Sequence, residues 1–93
     1  MVYKILFWRD IPAQLKTFNG SRPSSHQLDS RFQISIDRIA MNEGLVDDDS
    51  YLEYWNWGKK EEFEGTLDKL IEKIEYEGDK VIKTLRMQNE NLR

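Results

Sequence analysis

The chain has 93 residues, a formal net charge of -3 and no cysteine, so it makes one domain near the small end for a self-sufficient core, without disulfide staples or thiolate chemistry. Hydrophobic residues at 39% and eleven aromatics (three Trp, four Tyr, four Phe) can build that core, while a third of the residues are charged. No apolar run approaches the roughly 20 residues of a membrane span, no secretory leader is expected, and the cytoplasm is the expected compartment.

The charge is uneven. Residues 1–30 hold four Lys/Arg against two acids and residues 31–58 hold two against six. No basic stripe is dense enough for duplex nucleic acid. Neither nucleic acid nor membrane is an expected partner.

In chain order, a strand is expected from Val2 to Arg9, with Tyr3, Ile5 and Phe7 on one face and Lys4, Leu6 and Trp8 on the other. Both faces are largely apolar, as in a central strand. A second strand, Ala13 to Asn19, completes a hairpin whose turn holds Arg9, Asp10 and Pro12. Residues 20–27 are expected to be a mobile polar loop, with His26 as solvated surface. Leu28 to Glu43 is the clearest helix: Leu28, Phe32, Ile36, Ile39 and Ala40 form one stripe and Gly44 stands just past the end. Ile34 and Met41 fall off that stripe, so the helix either buries a second side or leaves an apolar patch for a partner.

The cluster Asp47-Asp48-Asp49 is expected to be a solvated turn, because a calcium loop counted from Asp47 would need glycine at Leu52 and glutamate at Gly58. Tyr51 to Gly58 is assigned to a third strand, with a short helix at Asp49–Trp55 as the competing reading. Its tryptophans suit a core, with an anchoring surface as the competing reading. Thr66 can cap a second helix along the stripe Leu67, Leu70, Ile71, Ile74, Val81, Ile82 and Leu85. Gly78 lies on that stripe, either breaking the helix or letting another backbone approach closely. The domain is expected to span residues 1–86, with residues 87–93 a frayed tail. The fold class is α+β: a small antiparallel-type sheet of hairpin plus third strand, two helices on one face, order ββαβα.

Two blocks, Trp8-Arg9-Asp10-Ile11-Pro12-Ala13-Gln14 and Arg31-Phe32-Gln33-x-x-Ile36-Asp37-Arg38-x-Ala40-Met41, with a looser third, Tyr51-Leu52-Glu53-x-Trp55, make the chain resemble the small bacterial virulence factor domain, the unit also found in conserved virulence factor C proteins. The chain departs from that pattern between hairpin and helix. Relatives are more basic there, whereas this chain has only Arg22 and His26; Asp29 stands where a proline is common. The family name records a phenotype, so the resemblance implies a fold unit and no reaction.

Two functions compete. The first is a non-catalytic binding or adaptor domain acting through protein contacts, its partner another protein or a second copy of the chain. The second is a small anionic ligand site, or an accessory enzyme subunit, built on Arg9, Asp10, Gln14, Arg31, Asp37 and Arg38, since an arginine fork can grip a carboxylate or phosphate. Trp8, Tyr51 and Trp55 complete the candidate contact residues. No catalytic residue, metal or cofactor is assigned. The structural alternative is a clasp from hairpin turn to helix, with Arg9 pairing Asp37.

Overall fold

A computed structural model describes residues 1–20, 22–45 and 49–91, with side chains described through Gln88. The elements are β1 (Val2–Trp8), β2 (Ile11–Asn19), β3 (Arg22–Gln27), α1 (Ser30–Asn42), α2 (Asp49–Glu53), β4 (Trp55–Trp57), β5 (Glu61–Glu62) and α3 (Leu67–Asn91). All pairings are antiparallel, in the order β3-β2-β1-β4, with β5 also on β1. The fold is therefore α+β, and β1 is the inner strand its two apolar faces imply.

The hairpin turns through Arg9 and Asp10, since Trp8 pairs Ile11. Arg9 takes φ 53°, the left-handed conformation a two-residue hairpin turn asks of its first central position. The register then slips: Phe7 faces Pro12 and Leu6 faces Gln14, leaving Ala13 unpaired as a bulge. A proline that cannot donate to the ladder sits well beside such an irregularity.

Residues 22–27 are not a loop but an edge strand on β2. Asn19 and Gly20 (φ 71°) lead into it as a turn rather than ending the sheet. Ser24-Ser25-His26 carries no apolar alternation because β3 is held by backbone hydrogen bonds at an exposed edge. His26 is half-buried there, its Nε2 3.1 Å from Oγ1 of buried Thr17.

Helix α1 opens on Asp29, whose side chain accepts from the Arg31 backbone N–H, and stops before Gly44 at φ 72°. It buries Phe32, Ile36, Ile39 and Ala40. The stretch 49–58 divides between both readings: α2 covers Asp49–Glu53, and only Trp55–Trp57 is strand. Tyr51, Leu52 and Tyr54 therefore do not alternate across a sheet. The Asp47-Asp48 part of the expected turn lies outside the described residues. Strand β5 falls in a charged run with no strand pattern of its own, pinned by Phe63 N–H donating to the Met1 carbonyl at 2.9 Å.

Thr66 Oγ1 accepts from Lys69 N–H at the start of α3. The helix runs unbroken through Gly78 and past Arg86 to Asn91. Gly78 admits side chains rather than another backbone: a Cβ there would lie 2.6 Å from Phe32 Cε1 and 2.7 Å from Pro12 Cγ. Helices α1 and α3 thus meet Pro12 on the same side of the sheet. Glu75 accepts from Asp29 N–H, and Gly78 abuts Phe32 three residues further along both chains, so the helices run in the same direction. Among the described residues no helix is long and apolar enough to cross a membrane.

Candidate functional site

The structure separates the sequence-predicted residues into three places. At the hairpin end, Trp8 is fully buried, and its indole Nε1–H donates to the Tyr51 carbonyl at 2.9 Å. Tyr51 and Tyr54 cover it with centroids 5.8 and 5.6 Å away, and Trp55 meets Tyr51 edge-on. The sheet face carrying Trp8 is therefore covered by α2 there, so Trp8 is not the accessible contact residue the sequence suggested. Trp8 is core, and Tyr51 and Trp55 pack half-buried against that core.

Arg9 does not pair with Asp37. Its guanidinium forks onto Glu43 at the end of α1, both nitrogen–oxygen distances being 2.6 Å, and stacks 4.4 Å over Tyr54. The hydrogen bonds it donates to Glu43 hold the guanidinium more firmly protonated, against the partial burial that opposes them. Asp37 instead receives Gln33 Nε2–H at 3.0 Å and the Tyr51 hydroxyl at 3.4 Å. Burial first, and the Asp37 charge next, push the Tyr51 phenol up. The clasp from turn to helix exists with a different acid, one turn or more further along α1.

Asp10 and Gln14 join neither Arg9 nor one another. Asp10 is exposed at the rim of a cavity of about 310 Å³ between β1 and α3. Gln14 lies within the sheet, opposite Leu6 and Gln27.

Arg31 and Arg38 line a groove of about 510 Å³ between α1 and α3, where Lys83 and Arg86 face them. Arg31 is already held: its Nε and Nη2 donate to Asp79 at 3.0 and 3.1 Å, with Glu75 and Asp29 nearby. Its neighbours' carboxylates, Asp79 above all, raise its proton affinity. Arg38, Lys83 and Arg86 make no ion pair with any described residue. Beside them Ile34 is 49% and Met87 54% exposed, and Met41 lies one turn beyond Arg38 at 67%. Of the two readings of Ile34 and Met41, the exposed apolar patch is the one observed.

Lys83 and Arg86 were missed in the sequence because they stand 45 or more positions from Arg38. The signal that could have found them is the spacing Asp79, Lys83, Arg86, which lines one flank of α3 as Ile34, Arg38, Met41 lines one flank of α1.

Fold and geometry define a small α+β domain with two helices against an antiparallel sheet and a cationic groove between the helices. The family pattern described as Virulence factor matches residues 6–89, nearly the whole chain, and the protein belongs to that family. No curated protein and no solved structure shows a significant match.

Proposed function

We propose that this domain is a binding module, and that its α1–α3 groove takes an acidic segment of a protein partner. The observation that supports this reading is the set Arg38, Lys83 and Arg86: three cations converging on one groove with no described counter-ion, flanked by exposed Ile34, Met41 and Met87. Like charges held close repel, and a partner carboxylate relieves that repulsion while apolar side chains cover the patch. An amphipathic acidic helix suits both features, because two helices running side by side leave a groove in which a third can lie. The absence of cysteine fits a reducing compartment such as the cytoplasm.

Panning a displayed library of random helical peptides against the whole chain, followed by titration calorimetry, tests the proposal. Enriched peptides should pair acids with apolar residues at helical spacing. Their affinity should fall at least about tenfold for Arg38→Glu or Lys83→Glu, a few charge-assisted contacts being worth that much. Peptides without acids, or binding untouched by those changes, would overturn it. A melting-temperature screen against anionic metabolites examines the small-ligand reading of the same cations.

A further inference from the structure

A second cation cluster lies on the opposite side of the sheet from α1 and α3. Lys4 of β1 and Lys16 of β2 are directly paired across the ladder, an arrangement of like charges that destabilises a sheet. Both ammonium groups converge on a single ring: Lys4 Nζ lies 4.7 Å and Lys16 Nζ 5.1 Å from the Trp57 centroid. Lys60 Nζ stands 4.5 Å over the neighbouring Phe18 ring, and Lys4 reaches that ring too, at 5.9 Å. None of the three lysines makes an ion pair with a described residue. Trp57 is 42% exposed. Leu6, opposite Trp57, continues the same face.

We propose that this sheet face binds single-stranded nucleic acid. The cost of holding Lys4 against Lys16 is offset when an anion arrives between them. What selects the anion is the pair of rings. Each lysine lies over a ring face and not its edge, so the faces of Trp57 and Phe18 are the accessible sides. A planar base stacks on such a face more strongly than an exposed lysine sits there. A base that displaces an ammonium group frees that same group to meet the adjoining phosphate. Phe18 and Leu6 are half-buried, which suits stacking by a flat base better than insertion among lipid tails. The three lysines are 12 and 44 positions apart, so no basic run in the sequence shows them. They become one site only through the β1–β2 register and the return of the chain along β4.

The test uses the full chain and a fluorescein-labelled oligothymidylate of about 12 nucleotides, followed by anisotropy. Three phosphate contacts predict that the logarithm of affinity falls with the logarithm of salt at a slope of about 2. Trp57→Ala should weaken binding about tenfold, and Lys4→Gln with Lys16→Gln should weaken it similarly while lowering the slope by about 1.4. The lysine pair variant should melt no lower than the parent, since it removes a repulsion. Circular dichroism confirms that each variant remains folded. Absence of binding overturns the proposal, as does binding that ignores both variants. An oligoglutamate peptide, or vesicles of phosphatidylserine and phosphatidylcholine, binding as well as the oligonucleotide would equally overturn it, since base stacking would then contribute nothing. Loss of oligonucleotide binding in Arg38→Glu would move the site to the helical groove and also refute it.

Discussion

The hairpin turn and the helical groove treat arginine in opposite ways. At the turn, Arg9 is gripped by both oxygens of Glu43, lies against Tyr54, and caps a fully buried Trp8. In the groove, Arg38 and Arg86 line a space whose carboxylate, Asp79, is taken by Arg31, and the apolar residues beside them are exposed. The first region has its hydrogen bonds and contacts completed internally. The second leaves Arg38, Lys83 and Arg86 without an ion pair to any described residue. Of the residues that look like a site in the linear sequence, Trp8 and Arg9 thus hold the fold together, while Arg38 stands with Lys83 and Arg86 as surface charge on two helices.

The sharpest way to break this contrast is Trp8→Ala. Removing a fully buried indole, together with its hydrogen bond to Tyr51, should cost about 3–5 kcal/mol in chemical denaturation. A loss under about 1 kcal/mol would mean that the hairpin end is not core. Gly78→Ala comes next. It gains up to about 1 kcal/mol of helix propensity, yet its methyl would sit under 3 Å from Phe32 and Pro12, two rigid and packed rings. The overpacking, about 1–3 kcal/mol, should win, and a stabilised variant would show that the three-way contact is loose.

Arg9 offers a finer comparison. Arg9→Ala should cost about 1–2 kcal/mol, more than an exposed pair because the fork is bidentate and half-buried. Arg9→Gly should lose about 1 kcal/mol less than Arg9→Ala, since glycine adopts the left-handed turn without strain. In double-mutant cycles Arg9 should couple to Glu43 and show no coupling to Asp37. The smallest effect is at Tyr3, whose phenol is pushed up by burial first and then by its hydrogen bond to Glu61. A folded-state pKa above the unfolded value of about 10 means that the native state keeps its proton longer. Stability from Tyr3 is therefore present below pH 10 and is lost as pH rises through the folded pKa. Tyr3→Phe should flatten that alkaline decline, as followed by denaturation midpoints at increasing pH.

The hairpin, α1 and the start of α3 were legible because apolar periodicity and capping residues agree there: Asp29, Gly44 and Thr66 each stand where the helix ends need them. Strands β3 and β5 were not legible. Their residues bury almost nothing, and what holds them is a ladder to a neighbour distant in sequence or already assigned. The Trp8 environment was not legible. Trp8 was expected among the contact residues, and whether aromatics would cover it depended on where the chain turned after residue 45. The Arg9 pairing failed on geometry: Asp37 borders the core stripe as expected, yet Tyr51 reaches it first, and Arg9 at the turn arrives at the far end of α1 beside Glu43.

If the groove cations serve a partner, as proposed, and not the fold, they can be neutralised without loss of stability. This is tested by the affinity of a selected acidic helical peptide for the triple variant Arg38→Gln, Lys83→Gln and Arg86→Gln, by calorimetry, with unfolding free energy measured on the same sample. Stability is expected within about 0.5 kcal/mol of the parent, as for surface changes, and binding weakened about 100-fold, the loss of roughly 2.7 kcal/mol across three charge-assisted contacts. A variant that binds as the parent does, or one that loses about 2 kcal/mol or more of stability, would contradict the proposal.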